Sequence, residues 1–257
     1  MLRIIRERFH QGRRTTRFPR GEPPAPPARF RGLPALDSSR CINGCAACVA
    51  ACPTGALTAS PGKGLQIDLG KCLFCGECAE ACEGGAITFT NDHRLAARDR
   101  QDLLLREGQK LRQAESLGRD LLRLLGRSLR LRQVSAGGCN GCEADANVLT
   151  TIGWDMGRFG IQFVASPRHA DGLLVTGPVT KNMRLALEKT WAAVPEPKIV
   201  VASGACAISG GPYAGSPEAC DGVAGILPVD LFVPGCPPHP LTLLDGLLRL
   251  IGRIHRG

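Results

Sequence analysis

In the C-terminal half of the chain, short apolar runs alternate with longer stretches in which apolar residues recur every three or four positions. The runs have the length of buried strands, and the longer stretches have the period of amphipathic helices. This alternation predicts an α/β domain with a doubly wound, flavodoxin-like parallel sheet. The predicted strands cover residues 129–135, 161–166, 172–177, 198–203 and 229–235. The predicted helices cover residues 143–154, 180–194 and 241–254.

Leucines also recur at three- and four-residue steps between residues 94 and 130, with arginines between them. This spacing predicts a basic helical connector ahead of the α/β domain. Gly108, Gly118 and Gly126 are expected to divide the connector into shorter pieces.

Composition divides the whole chain into four segments. The N-terminal arm begins with a short basic amphipathic stretch and continues into GEPPAPPARFRGLP, which is too rich in proline for a helix and is expected to run extended along a neighbour. An internal cysteine repeat follows the arm. The predicted segments are the arm (1–36), the cysteine-repeat module (37–93), the connector (94–130) and the α/β domain (131–257).

The chain has 257 residues, a formal charge of +9 and 13 cysteines. No secretory signal and no long apolar run is visible, so we expect a cytosolic protein in which clustered cysteines bind metal. Positive charge is concentrated in residues 1–40, which hold ten arginines against three acidic residues. Such a cluster is either a solvated face or a docking surface for a partner or for anionic lipid headgroups.

The cysteine-repeat module contains two related motifs. The first has the spacing C-x3-C-x2-C-x3-C-P and continues as PTGALT, and the second has C-x2-C-x2-C-x3-C and continues as EGGAIT. The matching continuations indicate a duplication. The cysteines of the two motifs are Cys41, Cys45, Cys48 and Cys52, then Cys72, Cys75, Cys78 and Cys82.

Cysteines at every third position followed by a fourth are typical of [4Fe–4S] ligation, whereas a zinc site usually uses two separated pairs. In two-cluster ferredoxins the fourth cysteine of each motif ligates the other cluster. We therefore predict two exchanged sites, with a zinc or disulfide function as the alternative. The first site comprises Cys41, Cys45, Cys48 and Cys82, and the second site comprises Cys72, Cys75, Cys78 and Cys52.

Two departures from the usual motif affect the first site. Asn43 or Gly44 is an extra residue between the first two cysteines, so that loop must bulge, which glycine makes easy. Glu83 stands where proline is usual. Its carboxylate is expected to lower the potential of the cluster that Cys82 ligates.

Four more cysteines follow predicted strands of the α/β domain. Because parallel strands place their carboxyl ends at one edge of a sheet, these thiols are expected to converge among flexible glycines on a third site. The alternative is four buried structural cysteines. Cys220 belongs to none of these motifs and is predicted to be a buried or surface thiol without a ligand role. The third site comprises Cys139, Cys142, Cys206 and Cys236.

The stretch CNGCEADANVL…TGPVTKNM…ASGACAISGG…VPGCPPHP resembles the small subunit of group 4, membrane-associated [NiFe] hydrogenases, as in formate hydrogenlyase, and its relative that carries the terminal cluster of complex I. The first hundred residues resemble the separate two-cluster ferredoxin-like subunit of the same enzymes. The chain therefore resembles a fusion of two subunits, and the resemblance covers nearly all of it.

The resemblance implies an oxidoreductase subunit with three [4Fe–4S] clusters and no catalytic residue of its own. Its partners would be a [NiFe]-bearing large subunit, a membrane-anchor subunit and a further iron–sulfur subunit or soluble electron donor or acceptor. It would lie in the cytoplasm, on the periphery of the inner face of the cell membrane. Asp145 occupies the position of a family acid at the subunit interface, where roles in proton movement have been assigned, and Glu143 lies beside it.

There are two alternatives to the interpretation as a hydrogenase subunit. One is the same relay in a complex I-like NADH or ferredoxin:quinone oxidoreductase, or in a hydrogenase-related complex without nickel. The other is a non-redox zinc or structural scaffold bound to nucleic acid. Aromatic residues make up only 4% of the chain, so we expect no nucleic-acid partner.

Overall fold

The computed structural model describes residues 2–42, 44–60, 64–125 and 128–254. The arm begins with helix α1 (Leu2–Gln11), in which no residue is buried. The chain then runs without regular structure along the α/β domain. Thr16 donates its backbone N–H to the carbonyl oxygen of Gly153 at 2.8 Å, and the Phe18 side chain is buried. The arm is therefore attached through its middle, and its terminal helix is exposed.

The cysteine-repeat module has near two-fold internal symmetry. Strand β1 pairs antiparallel with β4, and β2 pairs antiparallel with β3. Each half also contains one short helix that carries a cysteine. This arrangement confirms the ferredoxin-like fold expected from the duplicated motif. The elements are β1 (Pro34–Leu36), α2 (Ala47–Ala50), β2 (Leu57–Ser60), β3 (Gly64–Asp68), α3 (Glu77–Glu80) and β4 (Ile87–Phe89).

The predicted helical connector is largely wrong. Residues 94–118 contain a short 3-10 turn and strand β5 (Leu104–Arg106), and α4 (Arg119–Leu125) is the one α-helix among the connector residues that the structure describes. Gly126 lies outside the described residues. The leucine spacing predicted a helix, but the side chains are buried in a different way. The extended chain lies between the two folded units and buries these side chains against them. Strand β5 pairs with β3, and Ala97 exchanges two backbone hydrogen bonds with Phe232.

The α/β domain contains all five predicted strands and the three predicted helices, together with one additional short helix, α7. Most elements are shorter than predicted, and the helix predicted to end at 154 ends at Val148. The strands are β6 (Leu129–Ser135), β7 (Ile161–Phe163), β8 (Gly172–Thr176), β9 (Ile199–Ser203) and β10 (Leu231–Val233). The helices are α5 (Gly141–Val148), α6 (Lys181–Ala193), α7 (Ala205–Ser209) and α8 (Pro240–Leu250).

These five strands form one parallel sheet in the order β10-β9-β8-β6-β7. Counted within the domain, this is the flavodoxin-like order 2-1-3-4-5 read from the other edge. Successive residues of β9 alternate between two apolar clusters, Ile199 and Val201 in one, Val200 and Ala202 in the other. The sheet is therefore buried on both faces, as a parallel sheet requires.

The module and the α/β domain share one continuous core. Apolar residues of β2, β3 and β4 belong to the same buried cluster as Val200, Ala202 and Leu187 of the α/β domain. In addition, the Ser209 hydroxyl donates to the carbonyl oxygen of Gly70 at 2.9 Å. These contacts hold the cysteines of the two units in fixed relative positions.

Candidate iron–sulfur sites

The first two sites are built by equivalent contacts in the two halves of the module. Ala86 donates its N–H to the Cys82 sulfur at 3.2 Å, and Ala56 does the same to Cys52 at 3.2 Å. The carbonyl oxygens of these two alanines accept backbone N–H groups from Asp37 and from Asp68, respectively. Each alanine thus links the last cysteine of one motif to the strand that leads toward the first cysteine of the other. This linkage supports the exchange of the fourth cysteine between the sites.

The first site lies at the protein surface. Cys41 and Cys45 are exposed, Cys82 is half-buried, and Cys48 is buried at the start of the site's helix. Desolvation and then the neighbouring Cys82 raise the pKa of both Cys41 and Cys48. Cys82 therefore interacts with the other motif. Asn43, one candidate for the inserted residue, lies outside the described residues, and Gly44 adopts a left-handed conformation with φ of 76°.

The second site is more deeply enclosed. Burial, followed by repulsion from the other thiols of the site, raises the pKa of Cys72 to about 12, and the same causes raise the pKa of Cys78 to about 11. Burial opposes ionisation of Cys52, but hydrogen bonds from Thr54 and the following backbone outweigh it and lower the pKa. All four thiols line one pocket.

The third site lies where three strands of the α/β sheet end. Cys139 and Cys142 follow β6, Cys206 lies in α7 directly after β9, and Cys236 follows β10. Cys142 and Cys206 are half-buried, whereas Cys139 and Cys236 are exposed. The elements of a parallel sheet thus bring together residues that are almost one hundred positions apart in sequence.

Electrostatic interactions show that these four thiols are neighbours. Burial, then Glu143 and the other three cysteines, raise the pKa of Cys142 to about 12. Burial, then Cys236 and Cys139, raise the pKa of Cys206 to about 11. Clustered thiolates repel one another. Bound metal cations offset this repulsion with their positive charge, and metal binding releases the thiol protons.

The residues present fit iron–sulfur clusters at all three sites. Each site groups four thiols, which is the usual ligand number for [4Fe–4S]. Backbone N–H groups point at sulfurs in the module, as in the contacts of Ala56 and Ala86, and Phe74 donates to Cys72 at 3.3 Å. Such hydrogen bonds stabilise the negative charge of a thiolate-bound cluster.

The two acidic residues named with the third site differ in surroundings. Glu143 is buried and accepts a hydrogen bond from the Thr176 hydroxyl at 2.7 Å. Asp145 is half-buried, and burial raises its pKa. It lines a pocket together with Cys236 and His239. The functional roles of both acids stay predictions.

Sequence reasoning missed the closeness of the second and third sites. Cys75 raises the pKa of Cys236 after burial and Cys139. Leu73 and Phe74 line the same pocket as Cys236. No spacing in the sequence links these residues, because the contact depends on how the module packs on α7. Cys220, read as a plain thiol, is half-buried, and no metal-binding role is assigned to it.

Gly204 provides a direct test of the third site. It has φ of 92°, and a Cβ built there would lie 2.6 Å from the Cys142 sulfur. We expect Gly204→Ala to displace that ligand and to remove about four irons per chain. Iron and sulfide analysis measures the loss. Gly215→Ala is the matched control, because Gly215 has φ of 76° with nothing within 4 Å of its Cβ position. Equal iron content in both variants would contradict the assignment.

The fold and these sites define an iron–sulfur oxidoreductase subunit that joins a dicluster module to a flavodoxin-like domain. Residues 40–86 match the 4Fe-4S dicluster domain family. Residues 139–250 match the family described as NADH ubiquinone oxidoreductase, 20 Kd subunit.

Several known proteins are similar to this chain. It is 42% identical over 134 residues to the probable membrane-bound hydrogenase subunit mbhJ of Pyrococcus furiosus, covering 52% of this chain and 80% of that protein. It is 41% identical over 141 residues to formate hydrogenlyase subunit 7 of Escherichia coli, covering 55% of each. A solved structure of the membrane-bound sulfane sulfur reductase, an archaeal respiratory membrane complex, has 34% identity and a TM-score of 0.45, covering 51% of this chain and 72% of the other.

The chain belongs to the family of the 20-kDa subunit of NADH ubiquinone oxidoreductase. It is an iron–sulfur electron-transfer subunit of the hydrogenase and complex I class of oxidoreductases. Within the residues that the structure describes, no helix has the length and apolarity needed to cross a membrane. The relative from Pyrococcus furiosus is named as a subunit of a membrane-bound hydrogenase.

Proposed function

We propose that this chain relays electrons through three [4Fe–4S] clusters within a membrane-associated [NiFe]-hydrogenase complex of the formate hydrogenlyase type. The observation that carries the proposal is the grouping of twelve cysteines into three sets of four on one chain. When bound, such clusters accept and donate single electrons with little rearrangement of their ligands. The chain's own residues hold the three sites at fixed spacing and set their surroundings.

The packing of the chain supports the order first, second, third for the relay. The first and second sites are joined through the two-fold symmetric module. The second and third sites are joined by the electrostatic interaction of Cys75 with Cys236 and by the hydrogen bond from Ser209 to Gly70. The second site is therefore placed between the other two in the proposed relay.

The surfaces at the two ends of this order suit different partners. Cys139 and Cys236 are exposed at the third site, so we infer that a [NiFe]-bearing large subunit docks there and covers them. Cys41 and Cys45 are exposed at the first site. A further iron–sulfur subunit or a soluble electron carrier would exchange electrons there, while a membrane-anchor subunit holds the complex at the cytoplasmic face of the membrane.

Metal analysis of the chain co-purified anaerobically with its large subunit tests this function. We expect about twelve irons and twelve sulfides on this chain, with nickel on the partner. Reduction of the clusters by hydrogen, followed by EPR, would show that the two subunits exchange electrons.

Other metal contents would contradict parts of the proposal. Twelve irons without nickel on the partner would place the chain in a complex I-like or nickel-free complex. About eight irons would show that one site does not bind a cluster. Zinc without iron in an anaerobic preparation would exclude electron transfer.

A further inference from the structure

Helix α1 presents an apolar face that the chain itself does not cover. Leu2, Ile5 and Phe9 are spaced by three and four residues, so they share one side of the helix. Their exposed fractions are 84%, 49% and 83%. Arginines 3, 6 and 8 occupy other positions of the same helix. An exposed apolar stripe among basic residues is the pattern of a helix that lies in a membrane interface.

Directly after α1, the chain forms a cleft rich in arginine. Among the described lining residues Asp155 is the one acid. The salt bridges among the described residues include none of the cleft's arginines. The cleft therefore carries a large uncompensated positive charge. Its arginines are Arg8, Arg13, Arg14, Arg17, Arg20, Arg158 and Arg253.

The cleft, which follows the end of α1, is attached to the α/β domain. The Thr15 hydroxyl donates to the carbonyl oxygen of Ile152 at 3.0 Å. Arg158 donates to the carbonyl oxygens of Thr16 at 2.6 Å and of Phe18 at 2.7 Å. Ile152 itself is 74% exposed beside this attachment. Arg8, in the last turn of α1, also lines the cleft, so the helix and the cleft adjoin each other.

We propose that α1 and the arginine cleft bind the surface of an anionic phospholipid bilayer. Leu2, Ile5 and Phe9 enter the boundary between headgroups and acyl chains, and the guanidinium groups bind headgroup phosphates. Charge complementarity supports this partner, because the cytoplasmic leaflet is anionic and attracts basic segments. The proposal rests on the membrane association given above and adds the surface that makes the contact.

The aliphatic character of the helix face favours lipid over nucleic acid. Single-stranded nucleic acid is bound by aromatic side chains on which bases stack. Leu2 and Ile5 cannot stack on bases, and Phe9 is the one aromatic residue on the apolar face of the helix.

Flotation with vesicles tests the proposal on the full-length, cluster-loaded chain. We expect it to bind vesicles of phosphatidylcholine with phosphatidylglycerol and not to bind vesicles of pure phosphatidylcholine. It should dissociate as the salt concentration is raised. Because each basic residue near an anionic surface strengthens binding roughly fivefold, the variant R13Q/R14Q/R17Q should bind about a hundredfold more weakly. I5Q/F9Q should also lose most of the binding.

The chain offers matched controls. Lys110, Arg123 and Lys189 are exposed and lie outside the cleft, so K110Q/R123Q/K189Q removes the same charge elsewhere. Leu185→Gln removes an exposed apolar residue of α6. Both controls should bind as the wild type does.

Three results would overturn the proposal. These are equal binding to both kinds of vesicle, undiminished binding of R13Q/R14Q/R17Q, and flotation only with vesicles that contain the complex's integral membrane subunits. The last result would assign the surface to a protein partner. Iron content and EPR spectra are measured on the same samples, so a failure of the relay is distinguished from a failure of membrane binding.

Discussion

Removing Cys41 and Cys82 together is expected to cost one cluster, whereas removing Cys41 and Cys52 together is expected to cost two. In the exchanged arrangement, Cys41 and Cys82 belong to the first site, and Cys52 belongs to the second. The chain should therefore retain about eight irons in C41A/C82A and about four in C41A/C52A. Iron and sulfide analysis with EPR of the reduced chain makes the measurement.

The physical reason is the path of the backbone around the two sites. Ala86 donates its N–H to the Cys82 sulfur and accepts a hydrogen bond from Asp37, which follows the strand before Cys41. In the same way, Ala56 donates to the Cys52 sulfur and accepts from Asp68, at the end of the strand before Cys72. A ligand set made of four consecutive cysteines predicts the opposite iron contents for the two double variants. Cys220→Ala is the control, because Cys220 belongs to none of the three sets, and it should leave about twelve irons.

The two regular parts of the fold could be predicted because their sequence patterns depend on local structure. Strand β6 was predicted as residues 129–135 and has those bounds. Helix α6 was predicted over 180–194 and covers Lys181–Ala193. In both, burial follows from the period of a single element. The cysteine spacing was informative for a similar reason, since the motif itself curls around a cluster.

The connector could not be predicted because its apolar residues serve contacts with distant segments. Leu105 is buried by pairing β5 with β3, and Ala97 is buried beside Phe232 of β10. Leucines at three- and four-residue steps look the same in a helix and in a chain that crosses two cores. The closeness of Cys75 and Cys236 could not be predicted for the same reason, because it depends on how the module packs against the α/β domain.

Loss of the second site is expected to isolate the first site from the third. Cys48 and Cys78 are equivalent buried residues of α2 and α3, so C48A and C78A remove ligands of the first and second sites in matched surroundings. In the complete complex reduced by hydrogen, C78A should leave the first site oxidised after the wild type has been fully reduced. In the C48A variant, the second and third sites should still be reduced at the wild-type rate.

The expectation follows from distance, because electron tunnelling between clusters falls steeply as their separation grows. Cys75 is close enough to Cys236 to raise its pKa, whereas the first site connects to the third site through the module that holds the second. Freeze-quench EPR, which records the reduction of the clusters at successive times, makes the comparison. Reduction of the first site at the wild-type rate in C78A would show that electrons bypass the second site. In that case a second copy of the chain or another subunit must supply the connection, and dilution of the complex distinguishes those two sources.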